Sequence, residues 1–416
     1  MNILLCDADG FLGRAIASRL ESAGHQVIRA VRRPVLPGDI SIDFRTDLTP
    51  DSWHPRLENI DAAINAIGIL RERERDDFER IHHLAPAALF RACQKAGILR
   101  VLHISALGQE GIAPYLDSKR RADAELLRLM PANAAVLRPS LVFGPQGTST
   151  RFFMALASLP IHAIPCGAGR LQPIHVDDVA EAALRLVEAP PAPSRILDLP
   201  GPCAMRYAEW MSTYRQLMGL PPAPHLPIPA FIMAMAARCA GGFRTSMLCR
   251  ETWALMRQGS TADASNATAL LGRPLCNPAD FVPPETAATL RLQAFAAWRR
   301  PMLIGTLALI WLFTAIVCAG IYPVSSSLTL LQAFGLTGAT ASFTLTAAIG
   351  LDALMGLLTL FRPRRKLWLF QLALVSLYTL LIGWRLPEFL IHPFGPVLKN
   401  IAIAALLIQL YAEETQ

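Results

Sequence analysis

At 416 residues the chain is too long for one average domain, and 53% of it is hydrophobic against 17% charged, a balance that points to a membrane protein. The apolar excess is uneven: residues 1–300 read as soluble protein, and the sequence from Met302 onward is mostly apolar. The net charge of +7 does not indicate nucleic acid, because no basic stripe is interleaved with aromatics. Part of that charge sits in Arg299-Arg300 and Arg362-Pro363-Arg364-Arg365-Lys366 beside the apolar spans, where membrane topology accounts for it. The eight cysteines form no CxxC and pair with no histidine, so no metal centre is expected and a reduced cytosolic setting is. The chain enters a strand-like run, Ile3-Leu4-Leu5, without a signal-type basic and apolar leader, so the first domain is expected to stay unexported.

Strand and helix alternate through the first 180 residues. Residues 3–6 read as a strand, 11–23 as an amphipathic helix stopped by Gly24, and 26–31 as a second strand. A further apolar run covers 61–67, a helix 78–96 closes at Gly97, and 100–105 is strand-like. Residues 115–130 are helical, and 135–137 lead into Arg138-Pro139. This alternation predicts an α/β doubly wound parallel sheet of Rossmann type, with functional loops at the carboxyl ends of its strands. From about 190 to 230 the chain is proline-rich, as expected of a linker or an irregular substrate-side lobe; 230–300 looks helical, with 231–240 apolar enough to read as core rather than membrane contact. Four apolar segments follow: 302–321, 339–361 carrying Asp352, 367–384, and a shorter 397–411 with Lys399 near its start. The first is long enough to cross a bilayer. Three domains are expected: 1–200 as the Rossmann-type domain, 201–298 as a substrate-side helical lobe, and 299–416 as an all-α four-span transmembrane bundle. The basic clusters belong on the cytoplasmic side, which puts both termini and the first domain in the cytosol, on a cell inner membrane. An intramembrane carboxylate such as Asp352 is a functional hypothesis by default; Arg385, His392 and Lys399 near the outer span ends are candidates for a polar cluster.

The chemistry starts at Asp7-Ala8-Asp9-Gly10-Phe11-Leu12-Gly13. A Gly-x-x-Gly between a strand and a helix lets backbone N–H groups approach a pyrophosphate at the helix N-terminus, although such pairs also arise for packing alone. The second strand ends in Arg32-Arg33, and arginines there suit the 2′-phosphate of NADP where an acid would suit NAD. Asp43-Phe44, at the end of the third strand, fits adenine through its carboxylate and adjacent backbone, with Asp47-Leu48 as a rival. Ser105 closes the next strand, and ten residues on come Tyr115 and Lys119, four apart on one helix face. An ammonium beside a phenol lowers its pKa, so Tyr115 is expected to exchange a proton with a substrate oxygen that Ser105 holds.

Gly10-Phe11-Leu12-Gly13, Asn65-Ala66-Ile67-Gly68, Ser105, Tyr115 with Lys119, the 137–144 stretch LRPSLVFG and the 173–179 stretch PIHVDDV together resemble the extended and atypical short-chain dehydrogenase/reductase superfamily. The likeness covers about residues 1–280 and is closest to the NAD(P)-binding branch that includes the accessory NADPH-binding subunit of respiratory NADH dehydrogenase. The C-terminal region, with His392-Pro393-Phe394-Gly395-Pro396 and Lys399-Asn400, resembles DoxX-like membrane domains. The resemblance implies a catalytic set of Ser105, Tyr115 and Lys119. It implies pyrophosphate contacts from Gly10, Phe11, Leu12 and Gly13, 2′-phosphate contacts from Arg32 and Arg33, ribose contacts from Asn65, Ala66 and Gly68, and a nicotinamide pocket from Pro139, Leu141 and Val142. His175 and Asp178 are expected to pin a loop to the next helix. The departures are Asp7 where the family has its first glycine and Asp9 before the second.

The sequence therefore leads to a membrane-anchored, NADP(H)-preferring oxidoreductase acting on a carbonyl or alcohol, with an apolar substrate from the bilayer and no nucleic acid. The alternative is a non-catalytic NADPH-binding protein that regulates or assembles a membrane protein partner. Nucleotide-sugar epimerase or dehydratase chemistry ranks third, because that class is usually soluble.

Overall fold

A computed structural model describes the whole chain except residues 73, 75, 76, 243–245, 392–396 and 415–416. The expected His392–Pro396 motif therefore lies outside the described residues. The chain separates into two compact units, Met1–Ala294 and Phe295–Gln416.

In the first unit, β1 (Asn2–Cys6), α1 (Phe11–Ser22), β2 (Gln26–Val31), β3 (Ile40–Ser41), α2 (Pro50–Trp53) and β4 (Ala62–Asn65) are followed by α3 (Ala85–Lys95), β5 (Arg100–Ile104), α4 (Pro114–Leu129) and β6 (Ala134–Pro139). Short strands β7 (Val142–Phe143), β8 (His162–Pro165) and β9 (Ile174–His175) precede β10 (Arg195–Leu199). Seven strands form one sheet in the order β10-β6-β5-β4-β1-β2-β3, and every neighbouring pair is parallel. The chain starts in the middle of the sheet, builds outward to β3, then returns to β4 and builds the other way. The reversal lies between β1 and β4, where open parallel sheets hold their ligands.

The strand runs are apolar without alternation because helices cover both faces. Ile3 and Leu5 face a core shared with Ile16 and Leu20 of α1 and with Val179 and Ala183. Leu4 and Cys6 face the other layer, with Ala88 and Leu89 of α3 and Ala122 and Leu126 of α4. Fully burying one such Leu or Ile contributes about 1.5–3 kcal/mol.

Three local expectations change. The helix expected over 78–96 opens as a wide π turn, Glu79–Leu84, before α3. Pro86 is the cause: it has no N–H to give the carbonyl four residues back, at His82, and its ring crowds that carbonyl. The proline-rich stretch after 190 is no linker, since it holds β10, paired with β6 along its length. The helix Ala230–Ala240 is not core, because only Ala237 in it is buried.

In the second unit the helices Gly338–Phe361, Arg365–Arg385 and Lys399–Glu413 pack with the apolar end of Pro284–Ile316. Among the described residues, three helices are long and apolar enough to cross a membrane: Pro284–Ile321, Gly338–Phe361 and Arg365–Arg385. The fourth expected span is a helix of 15 residues, short of the roughly 20 that a bilayer needs. The stretch expected to link the first two spans contains a further helix, Val324–Gln332. Arg299 and Arg300 lie inside a continuous helix, Pro284–Ile316, where a junction was expected, and they pair with Glu413 and Glu414 at 2.5 and 2.7 Å. Of the residues expected in an outer cluster, Arg385 lies over the Trp384 ring at 4.5 Å, Lys399 is exposed, and His392 lies outside the described residues. The bundle instead buries a polar chain in which Trp311 Nε1 donates to Gln371 Oε1 at 3.0 Å and Gln371 Nε2 donates to Thr359 Oγ1 at 2.8 Å.

Candidate functional site

The turn between β1 and α1 is built around Asp7. Its N–H donates to Ala30 O, its carbonyl accepts from Gly10 N at 2.8 Å, and its φ is +65°, a left-handed conformation that favours glycine. Asp7 carries it in glycine's place. Gly10 and Gly13 are then obligatory for packing: a Cβ on Gly10 would stand 2.0 Å from Asp7 Oδ2, and one on Gly13 1.9 Å from Asp7 O. The first turn of α1 has no acidic side chain and no side-chain cap, so its N–H groups remain available to an anion. Burial, then the neighbouring Asp9 charge, pushes the Asp7 carboxyl up to about 7, against the pull of Lys119, Arg32 and Arg14. Glycine turn and α4 lysine thus share one electrostatic field.

A cleft of ≈ 820 Å³ opens at the carboxyl ends of β1, β2 and β4. Asp7 and Asp9 line it from the turn, Arg32 from the end of β2, and Asp43 and Phe44 from beyond β3. The loop after β4 contributes Ile67, Gly68 and Arg71, and a distant stretch contributes Ser246, Met247, Cys249 and Thr252. Arg71 joins these two walls, donating to Ser246 O at 3.1 Å and to Gly241 O. A far smaller pocket of ≈ 40 Å³ sits at the opposite end of the sheet, against Arg100 and Asn133, away from the turn.

The expected cofactor residues divide. Arg32 lines the cleft, while Arg33 is exposed outside its lining. Asp43, rather than its rival Asp47, reaches the cleft, because Asp47 is held by Arg56 at 2.7 Å and by the Asp43 N–H at 2.8 Å. The Phe44 ring is 2% exposed and packs edge-on against Trp53, leaving its backbone for contact. Asn65 is buried: its Oδ1 accepts from Ile67 N at 3.2 Å and its Nδ2 lies 3.1 Å from His103 Nδ1, so it shapes the turn after β4. Ala66 is buried beside it. Gly68 lies on the cleft wall, where a Cβ would stand 3.4 Å from Lys119 Nζ. Pro139, Leu141 and Val142 end β6 and begin β7, tied by Leu107 N to Pro139 O and Ile174 N to Leu141 O. His175 caps the next helix, accepting from Asp177 N, and Asp178 binds Cys276 N and Arg273. His175 thus ties its loop to the helix as expected, whereas Asp178 holds the segment at Arg273 and Cys276 instead.

The catalytic set is assembled differently from the expectation. Lys119 is buried and donates to Ile67 O at 2.8 Å and Ile104 O at 3.0 Å, bridging the ends of β4 and β5. Burial pulls its amine down to about 8, opposed by the charges of Asp123 and Asp7. Tyr115 packs edge-on against His82 and Phe78, at 5.4 and 6.1 Å between rings. Its phenol is pushed up to about 12 by burial, which outweighs the attraction of Arg120. The sequence called for the reverse. Lys119 is turned to two carbonyls, and an apolar surround penalises phenolate more than a nearby cation repays.

Ser105 sits one residue past β5, with its N–H on Leu137 O and its Oγ accepting from Arg120 Nη1 at 3.3 Å. Arg120 also donates to Ala106 O at 2.9 Å and pairs with Asp123. Asp123 in turn holds Arg138 of β6 at 2.7 Å. This network was missed, although Asp123 stands four residues after Lys119 on the same helix face. His82 was missed as well: its Nε2 accepts from Ile69 N and its Nδ1 meets Ser118 Oγ, each at 3.0 Å. Burial keeps it well below the ordinary histidine range, so it is a neutral brace between the cleft loop and the Tyr115 helix.

Residues 3–197 match the family described as NAD dependent epimerase/dehydratase, and residues 308–408 match the DoxX-like family. The chain is 28% identical over 256 residues to NADH dehydrogenase (ubiquinone) 1 alpha subcomplex subunit 9, mitochondrial, of Rattus norvegicus, covering 56% of this chain and 65% of that protein. It is 27% identical over 194 residues to the ceramide reductase of Caulobacter vibrioides, covering 45% of this chain and 61% of that one. The chain spans less than two thirds of the length of either relative. In fold, it is similar to the human epimerase family protein SDR39U1 with NADPH (TM-score 0.54, 19% identity, 71% of this chain and 99% of that one). MoeE5 in complex with UDP-glucose and NAD gives a TM-score of 0.52 at 21% identity, over 72% of this chain and 100% of that one.

Proposed function

With residues 3–197 belonging to the NAD dependent epimerase/dehydratase family and residues 308–408 to the DoxX-like family, we propose that the chain is a membrane-anchored NADP(H)-dependent oxidoreductase that reduces the carbonyl group of an apolar substrate. The observation that carries this reading is the cleft at the β1/β4 reversal, with Arg32 at one strand end and the buried Lys119 amine behind Gly68. Its ≈ 820 Å³ falls in the range of cofactor sites. The uncapped start of α1 and the bare Gly10 suit a pyrophosphate, which Asp7 and Asp9 oppose. Arg32, rather than an acid, at the end of β2 supports NADP(H) over NAD(H).

A bound nicotinamide dinucleotide supplies the hydride. Lys119 holds the walls of the β4 and β5 loops together and adds positive charge at the floor of the site. Ser105 Oγ, fixed by Arg120, orients the substrate oxygen. Tyr115, kept as a phenol at neutral pH, gives its Oη proton to that oxygen. The phenol is protonated at neutral pH, as a donor in a reduction must be, while its pKa of about 12 makes it a weak acid whose proton transfer has to be drawn by the alkoxide that forms on hydride arrival. The likeness to a ceramide reductase and the membrane helices support an apolar substrate. Topology enters the same way: Arg299 and Arg300 pair with the C-terminal Glu413 and Glu414, and Arg365 covers the Tyr411 ring. These contacts put the basic clusters and the C-terminus at one end of the bundle, which supports cytoplasmic termini on an inner membrane.

A second reading is favoured by the hold of Ile67 and Ile104 on Lys119 and by the raised Tyr115 phenol. In it the nucleotide is bound without turnover, and the protein assembles or regulates a membrane partner; the likeness to a subunit of NADH dehydrogenase supports it. The test is NADPH fluorescence titration of the purified full chain, followed by NADPH oxidation with long-chain ketones and aldehydes. Binding with turnover that Tyr115→Phe abolishes is expected. Binding without turnover, or turnover indifferent to Tyr115→Phe, overturns the reductase, and absence of binding overturns both readings.

A further inference from the structure

The helix Ala230–Ala240, AFIMAMAARCA, has one charged residue, Arg238, and one buried residue, Ala237. Phe231 is 72% exposed, Met235 59% and Ile232 38%. At 100° per residue Phe231, Met235 and Cys239 project from one side, with Ile232 on its flank. The neighbouring helix Arg250–Gln258 buries only Trp253 of its own residues, so the outward stripe is left open. A soluble domain does not gain by presenting a phenylalanine, an isoleucine and a methionine together to water.

We propose that this helix lies in the headgroup region of the same bilayer that the chain spans, with Phe231, Ile232 and Met235 inserted among the acyl chains. Three observations select lipid as the occupant. The first membrane-length helix begins at Pro284, within the first unit, so this unit is tethered to a membrane and the bilayer is the apolar phase always at hand. Residues 210–250 contain no Asp or Glu, and Arg238 and Arg250 are exposed, a sign that complements anionic headgroups. Eleven residues are too few to cross a bilayer, and an exposed apolar side with an arginine at its edge suits a helix lying at the membrane surface.

The docking has a consequence for the cleft. Ser246, Met247, Cys249 and Thr252, just beyond the helix, form one of its walls, and Arg71 ties that wall to the loop after β4. A docked helix therefore brings a wall of the cleft to the lipid surface. Only the passage of an apolar substrate there rests on the reductase reading; the docking does not.

Cys239 is exposed on the outward face, and Cys203 is exposed elsewhere in the same unit. The test uses the full chain with Cys166, Cys276 and Cys318 changed to Ser and a nitroxide on Cys239 or, separately, on Cys203. The other of the two is also changed to Ser. The protein is reconstituted in nanodiscs of phosphatidylcholine with phosphatidylglycerol, without nucleotide. Collision with oxygen is expected to dominate over collision with a water-soluble nickel chelate at Cys239, and the opposite at Cys203. Phe231→Glu with Met235→Glu is expected to reverse the ratio at Cys239 alone. Nickel access at Cys239 equal to that at Cys203 overturns the docking. So does shielding from both reagents with spin–spin broadening, which would mean a second copy covers the helix.

Discussion

Asp7→Gly is the most informative single change. In the folded chain the Asp7 carboxyl titrates near 7 rather than at its ordinary 3.8, and each pKa unit corresponds to about 1.36 kcal/mol. The ionised carboxylate is thus disfavoured by at most about 4 kcal/mol, and the left-handed φ of +65° adds roughly 1 kcal/mol that glycine does not incur. The sign follows from a folded value above the unfolded one. Asp7's contribution to stability is fully present below about pH 4 and is lost as pH rises through about 7. Cofactor affinity runs the same way, because the carboxyl becomes an anion beside a pyrophosphate as pH rises. A residual repulsion of about 1 kcal/mol corresponds to roughly fivefold in Kd. NADPH fluorescence titrations at pH 6 and pH 8 are expected to show weakening with pH in the wild type. In Asp7→Gly they are expected to show a flat and roughly fivefold tighter Kd at pH 8. Asp7→Asn, which removes the charge but keeps the side chain, is expected to recover the affinity without the backbone gain in denaturation midpoint. A Kd for Asp7→Gly at pH 8 equal to or weaker than that of the wild type refutes the electrostatic argument.

Arg32→Ala is expected to raise the Kd for NADPH about tenfold while leaving NADH nearly unchanged, whereas Arg33→Ala, outside the cleft, leaves both within a factor of about two; parallel titrations decide it. Reductase turnover is expected to fall as pH rises through about 8, where the Lys119 ammonium loses its proton, and a kcat/KM profile flat to pH 9 contradicts that role. Asp123→Leu leaves Arg120 and Arg138 without their shared buried anion and should destabilise the first unit by about 3–5 kcal/mol, read as the shift in its denaturation midpoint.

What the sequence made legible was local. The β1–α1–β2 unit, its glycine pair and the order of Ser105, Tyr115 and Lys119 follow from spacing within a few residues of each. What it hid depends on partners far along the chain. β10 reads as a loose proline-rich stretch because its pairing partner, β6, lies some sixty residues earlier. Tyr115 and Lys119 show a correct spacing, but only the fold reveals that Lys119 is claimed by Ile67 and Ile104. The roles of His82 and Arg120 rest in part on backbone atoms of other segments, Ile69 N and Ala106 O, for which no side-chain pattern exists. Composition alone assigns Ala230–Ala240 to a core, since an apolar face looks the same whether protein or lipid covers it.

The clasp of Arg71 on the backbone of Gly241 and Ser246 sets the order in which the molecule is completed. These partners are separated by about 170 residues, so the cleft is a late, high-contact-order feature that closes after the sheet has formed. A nascent chain released at residue 200 would have the glycine turn but only one side of the cleft. A nucleotide finds the complete cleft only once the segment through Thr252 has been made.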